Sequence, residues 1–214
     1  MQLTKFLTRK AMRLHNKLWG PRRYRYLLKS IREIKPKCIL ELGTWNGIRA
    51  VQMISEARKF NSAEEIAYYG FDLFEEMTEP ILQEESSKWP PSFREVEERL
   101  LKTGVKISLY KGDTRESLPR MISQLPKMDF IFVDGGHSVE TISSDWLCVQ
   151  KLMHRNTTVI FDDYWNRDGA GAKPVLENID KERFNVDILP VQDRFEKESG
   201  ILEIRLARVR LRSE

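Results

Sequence analysis

The chain has 214 residues, 41% of them hydrophobic and 32% charged, with a net charge of +4. That suits one soluble domain with its own core, and no apolar run approaches the ~18 residues a membrane span needs. Its two cysteines, Cys38 and Cys148, lack metal-ligand spacing and read as buried thiols of a reducing, cytoplasmic compartment, which excludes a disulfide scaffold.

The charge is unevenly placed. Residues 1–32 hold ten Lys or Arg and no acid, which leaves the remainder at −6. Leu3, Leu7, Ala11, Leu14 and Leu18 fall at helical spacing among basic residues, so an amphipathic helix is expected there. Gly20-Pro21 breaks it, and Tyr24 to Ile34 reads as a second helix stopped by Pro36. This makes residues 1–35 a basic helical extension and 36–214 the domain proper. The helices can pack on the domain or on a second copy of the chain, giving a homo-oligomer. The rival reading sends the arm to an anionic membrane surface or RNA, although it lacks the aromatic interleaving of a nucleic-acid platform. A mitochondrial presequence fits less well, because the arm is poor in serine.

Lys37 to Leu42 is a strand, Gly43-Thr44-Trp45-Asn46-Gly47 a glycine-bearing turn, and Ile48 to Phe60 the helix it opens. Such a unit holds nucleotide-like cofactors, since small residues let backbone N–H groups approach them. The pattern Gly-x-Gly-x-x-Gly of dinucleotide sites is not matched. Ile66 to Phe71 is the next strand, ending in Asp72, an acid placed either to accept from two ribose hydroxyls or to cap a turn. Phe74 to Arg99 is charged and is read as helix, a break at Trp89-Pro90-Pro91, and a second helix from Ser92 to Lys102. Val105 to Tyr110 is a strand followed by Gly112-Asp113-Thr114. Asp113 can face an adenine amine, cap the helix Arg115 to Gln124, or do both.

Met128 to Val133 is a short apolar run of the kind that makes a strand buried on both faces, and Asp134-Gly135-Gly136-His137 follows it directly. A helix is expected over Val139 to Met153. Thr157 to Phe161 is another strand and runs into Asp162-Asp163-Tyr164-Trp165. If the two strands are neighbours, three carboxylates meet at one sheet edge and repel unless a positive charge joins them. A divalent cation is the simplest such charge, and turn aspartates are the alternative. Tyr164 and Trp165 are candidates for an aromatic wall. A short helix over Lys173 to Ile179 precedes strands at Phe184 to Leu189 and Ile201 to Val209, whose spacing suits an antiparallel return. The whole is α/β, a doubly wound, mostly parallel seven-stranded sheet ending in an antiparallel hairpin.

Five pieces in this order resemble the class I S-adenosylmethionine-dependent methyltransferases. They are Glu41 to Gly47, Gly70-Phe71-Asp72, Lys111-Gly112-Asp113, Val133 to Ser138, and Phe161 to Tyr164. The similarity is greatest to the branch of macrocin O-methyltransferase-like and cephalosporin hydroxylase-like proteins, with catechol O-methyltransferases as cousins. The resemblance implies S-adenosylmethionine around Glu41, Gly43, Thr44, Trp45 and Gly47, with Asp72 on its ribose, Asp113 by its adenine, and Asp134 also at the cofactor. It implies Mg²⁺, or Mn²⁺ or Ca²⁺, on Asp134, Asp162 and Asp163, and His137 as general base. Trp45 departs from the commonest turn, which has a glycine there. His137 stands where the catechol enzymes carry a lysine, which suggests a less acidic hydroxyl such as a sugar's.

The expected reaction is O-methylation of a small polyhydroxylated acceptor. Hard carboxylates suit an oxygen-seeking ion that would acidify the hydroxyl, and a histidine with pKa near 6.5 suits proton removal at neutrality. A nicotinamide-dependent oxidoreductase on a similar sheet is the first rival, against which the missing third glycine counts. A non-catalytic protein using the basic arm is the second.

Overall fold

Apolar runs without polar alternation are stable as strands only when covered on both faces, and such runs form the centre of one sheet whose parallel part has five strands. They are β1 (Cys38–Leu42), β2 (Ala67–Asp72), β3 (Lys106–Lys111), β4 (Met128–Val133) and β5 (Met153–Trp165). Two antiparallel strands, β6 (Phe184–Lys197) and β7 (Gly200–Leu211), complete the order β3-β2-β1-β4-β5-β7-β6. The computed structural model describes residues 21–85, 87–197 and 200–212, so the helix expected over Leu3 to Leu18 lies outside the described residues.

Helices cover both faces. On one, α1 (Tyr24–Ile34), α2 (Ile48–Ala57) and α4 (Phe93–Leu101) bury Leu27, Ile31, Met53, Val96 and Leu100 against Ile39, Phe130 and Ile160. On the other, α5 (Thr114–Met121), α6 (Val139–Leu152) and α7 (Lys173–Glu177) pack Leu118, Trp146, Val149 and Leu176 on Leu40, Ile131 and Phe161. Leu27 and Ile31 are fully buried. The described part of the expected extension is therefore built into the core of the domain.

The charged segment after Asp72 keeps the expected order of helix, break and second helix. Its first part is divided into a 3-10 turn (Phe74–Glu76) and the short helix α3 (Glu79–Glu84), and the start of α4 is fixed by a capping box between Ser92 and Glu95. The hairpin differs from the sequence expectation in β6, which continues past Leu189 to Lys197, whereas β7 starts at Gly200, next to the expected Ile201. The register of the extended part is held by pairs such as Arg194 with Glu203 at 2.7 Å. Among the described residues, no helix is long and apolar enough to cross a membrane.

The strand order reverses between β1 and β4, so their carboxyl ends open side by side, where α/β sheets bind ligands. Val133 at the end of β4 pairs with Leu42 on one side and Phe161 on the other. The two acidic edges are thus neighbours, as expected.

Candidate active site

The glycine turn is held to the sheet by its backbone. Gly43 and Thr44 donate their N–H groups to the Phe71 carbonyl at 2.9 and 3.2 Å, and Gly47 closes the turn on the Thr44 carbonyl at 2.8 Å. Gly43 has φ +89°, and a Cβ there would stand 2.2 Å from the Asp134 carbonyl oxygen, so only glycine lets β1 and β4 approach this closely. Trp45, also left-handed at φ 44°, donates its N–H to Asp72 Oδ2 at 2.6 Å. Burial raises the Asp72 pKa, while N–H donors from Trp45, Phe74 and Leu73 pull it back.

A cavity of about 290 Å³ opens here, near the lower end for small-molecule sites. At one end lie Gly43, Trp45, Asp72, Gly112 and Asp113, and at the other Asp134, His137, Asp163, Arg23 and Tyr24. Of the residues expected at the cofactor, Glu41, Thr44 and Gly47 do not line it. Glu41 is fully buried and receives the Tyr68 hydroxyl hydrogen, and that hydroxyl also lies 3.2 Å from Thr44 Oγ1. Asp113 takes the capping role: its Oδ1 accepts from Arg115 N at 2.9 Å, and Arg115 Nη2 reaches Oδ2 at 2.7 Å. Burial opposes ionisation of Asp113, but these bonds to Arg115 prevail and hold its pKa below the usual carboxylate range.

A β-bulge shapes the acidic end. Between Phe161 and Tyr164 the pairing with β7 shifts register, and Asp163 turns left-handed at φ 56°. Asp162 then meets Arg23 while Asp163 meets His137, instead of the plain alternation a regular strand would impose. Arg23 Nε and Nη2 donate to the two oxygens of Asp162 at 2.7 and 2.8 Å, and the Tyr24 hydroxyl donates to Oδ2 at 2.8 Å. Burial would raise the Asp162 pKa; the Arg23 charge and these bonds hold it below the ordinary range. Asp134 moves the other way, well above its ordinary value, because burial and the charges of Asp162 and Asp163 all disfavour its anion.

His137 is not arranged as the free base expected from the sequence. Its Nε2 lies 2.9 Å from Asp163 Oδ2, and its Nδ1 is hydrogen-bonded to the Glu85 carbonyl. Burial favours the neutral ring, but Asp163 and Glu85 outweigh it and raise the pKa to about 9. At neutrality the ring is an imidazolium with both N–H groups donated. Trp165, a candidate for an aromatic wall, instead donates Nε1–H to Asp163 Oδ1 at 2.8 Å.

A divalent ion does not fit the three carboxylates as they stand. Both Asp162 oxygens are held by Arg23 and Tyr24, and both Asp163 oxygens by Trp165 and His137. The positive charge the cluster requires is supplied by a guanidinium and an imidazolium. Among the described residues no group of three or more His, Cys, Asp or Glu is placed to hold an ion.

Sequence reasoning missed three residues. Arg23 and Tyr24 fall within the basic arm of the sequence, where an arginine is ordinarily solvated. Glu85, directly after α3, was one acid in a charged run. It is buried, and accepts from His137 N at 2.5 Å, Ser138 N at 2.7 Å, Ser138 Oγ at 2.9 Å and Thr141 Oγ1 at 2.5 Å. Burial opposes its ionisation, yet these donors prevail and lower its pKa. Ser138 caps α6 by accepting from Thr141 N at 3.1 Å, and Glu85 holds that cap residue and the His137 loop in place. The Arg22-Arg23-Tyr24 order carried no signal that distinguished it from its neighbours.

A family model described as a methyltransferase domain matches residues 40–164, the span from β1 to the acidic bulge. The chain belongs to the methyltransferase-domain family. No curated protein sequence matches this methyltransferase at a significant level. Its fold is shared with solved structures of low identity. An O-methyltransferase of Streptomyces achromogenes, TomG, involved in tomaymycin synthesis and in complex with SAM, is 16% identical, with TM-score 0.59 over 94% of this chain and 88% of that one. An O-methyltransferase of Bacillus cereus in complex with SAH is 14% identical, with TM-score 0.56 over 94% and 89%. A cofactor-bound protein from MTB, Rv0187, gives 13% identity and TM-score 0.63 over 95% and 96%. At these identities the likeness establishes the class I methyltransferase fold and nothing finer.

Proposed function

We propose that this methyltransferase transfers the methyl group of S-adenosylmethionine to a hydroxyl of a sugar or another small polyhydroxylated molecule. The observation that carries the reading is the single cavity joining the glycine turn and Asp72 to Asp134. O-methyltransferases in complex with SAM or SAH among the fold's neighbours support both the cofactor and the acceptor atom. When bound, S-adenosylmethionine supplies an electrophilic methyl on a cationic sulfur.

This chain's part is to hold the partners and take a proton. Asp72, already braced by the Trp45 N–H, receives the ribose hydroxyls, and the glycine turn admits the methionine portion against backbone. The acceptor lies at the acidic end beside Asp134. As the new C–O bond forms and the C–S bond breaks, the hydroxyl proton passes to the Asp134 carboxylate and S-adenosylhomocysteine leaves. A carboxylate whose pKa is raised suits this role better than one at its ordinary value, because proton transfer to it costs less. The His137–Asp163 pair forms the wall that orients the acceptor, and no step is routed through a metal.

Calorimetry with S-adenosylhomocysteine, followed by mass detection of methyl transfer to a panel of sugars and polyols, tests the reading. Absence of cofactor binding would refute it. Asp134→Asn is expected to keep cofactor affinity while losing turnover, and unchanged turnover would remove Asp134 from the mechanism. Asp72→Ala is expected to weaken S-adenosylhomocysteine binding by about 10- to 100-fold, the value of hydrogen bonds to a charged group. An unchanged dissociation constant would show that Asp72 serves only the turn.

A further inference from the structure

Arg23 reaches the acid cluster from outside the segment that matches the family model, and its place there is built from more than one side. Asp193 of β6 accepts the backbone N–H groups of Arg22 and Arg23 at 2.9 and 3.0 Å, and Nη1 of Arg23 at 3.3 Å. Asp193 is itself 3% exposed, in the extended part of β6. The guanidinium of Arg49 lies 3.4 Å from the centre of the Tyr24 ring, a stacked cation that fixes the neighbouring side chain. These contacts set the start of α1 without help from Asp162. The side chain then extends into the fork it makes with Asp162 and is 6% exposed overall.

A hard dication needs carboxylate oxygens at roughly 2.0–2.6 Å. Guanidinium nitrogens at 2.7 and 2.8 Å already occupy that side of Asp162, and a second positive charge beside them would be repelled in a poorly solvated site. We propose that Arg23 is the resident counter-ion of this centre, standing where a divalent ion would otherwise join Asp134, Asp162 and Asp163. The chain's N-terminal segment thereby replaces an exchangeable metal with a covalently tethered cation. For its consequence, a turnover unaffected by chelators, the proposal rests on the reading of the cavity as a methyl-transfer site. The binding claim stands apart from that reading.

The test therefore uses Mn²⁺ alone, without cofactor or acceptor. Mn²⁺ uptake is followed by electron paramagnetic resonance, and its effect on the thermal midpoint by circular dichroism. The wild type is expected to show no site-bound Mn²⁺ and no midpoint shift. Arg23→Gln, which removes the guanidinium from both Asp162 oxygens and leaves them the Tyr24 hydroxyl and the Asp163 N–H, is expected to bind Mn²⁺ at least about tenfold more tightly than the wild type, with a rise in its midpoint. Arg23→Lys keeps the charge and should behave like the wild type. Wild-type Mn²⁺ binding that Asp162→Asn abolishes overturns the proposal, as does a folded Arg23→Gln that binds no better than the wild type. Should Arg23→Gln fail to fold, wild type against Asp162→Asn decides: equal, non-specific uptake supports the proposal, and uptake lost in the variant overturns it. Cofactor binding is measured separately, so failure of the methyl-transfer reading is distinguishable from failure of this one.

Discussion

Arg23→Ala is expected to destabilise the fold by about 3–5 kcal/mol, the cost of leaving one partner of a buried ion pair unmatched. The side chains of Arg23 and Asp162 are 7% and 0% exposed, so water cannot replace the lost fork. Asp162 would keep only the Tyr24 hydroxyl and the N–H of Asp163 as donors, and its charge would then add to that of Asp163. Urea denaturation measures the loss as a lower midpoint at unchanged slope. The double variant Arg23→Ala/Asp162→Ala is expected to lose less than the sum of the two single changes, because removing both partners leaves no orphaned charge. Strict additivity would mean that the pair seen in the structure contributes nothing specific. Tyr24→Phe offers a finer comparison, since it deletes one donor to Asp162 and leaves the fork intact.

The same pair shows what a sequence reading reaches and where it stops. Strand and helix order is legible because runs such as Phe130-Ile131-Phe132-Val133 have one good solution, a strand covered on both faces. The convergence of Asp134 with Asp162 and Asp163 also follows, because acids placed just after adjacent parallel strands share an edge. The sequence calls for positive charge at that edge, because three acids meet there. Its source was not visible, since Arg23 lies more than a hundred residues from Asp162 and is delivered by a helix that composition alone marks as solvated. Asp193, which anchors it, falls in a stretch with no apolar pattern to announce a strand. The sequence expects His137 at the site, but its ionisation depends on Asp163 and on Glu85, one of several acids in a charged run. Nothing local marks which of those acids is buried. Longer-range pairings of charge escape a pattern reading because each partner looks ordinary where it stands.

Glu41→Gln is expected to change how stability depends on pH. Glu41 is fully buried at the end of β1, and burial raises its pKa from 4.5 to about 8, against the opposing pull of the Tyr68 hydrogen bond and the Arg49 charge. The folded chain therefore keeps a proton that the unfolded chain releases between pH 4.5 and 8. Folding is penalised progressively as pH rises through that window, and the penalty is absent below it. A glutamine does not ionise in either state, so the variant lacks this slope. Relative to the wild type it should gain on the order of 3 kcal/mol between pH 4.5 and pH 7, whatever constant difference the amide introduces. His137 titrates in the same direction at higher pH, since its folded pKa is about 9; it is present in both proteins and cancels from the comparison. Urea midpoints at several pH values give the result directly, and parallel curves would show that Glu41 is ionised in the folded chain. Because the Glu41 carboxyl lies behind the glycine turn and outside the cavity, affinity for S-adenosylhomocysteine should stay unchanged in the variant. A large loss of affinity would instead place that carboxyl on the cofactor, as the family resemblance first implied.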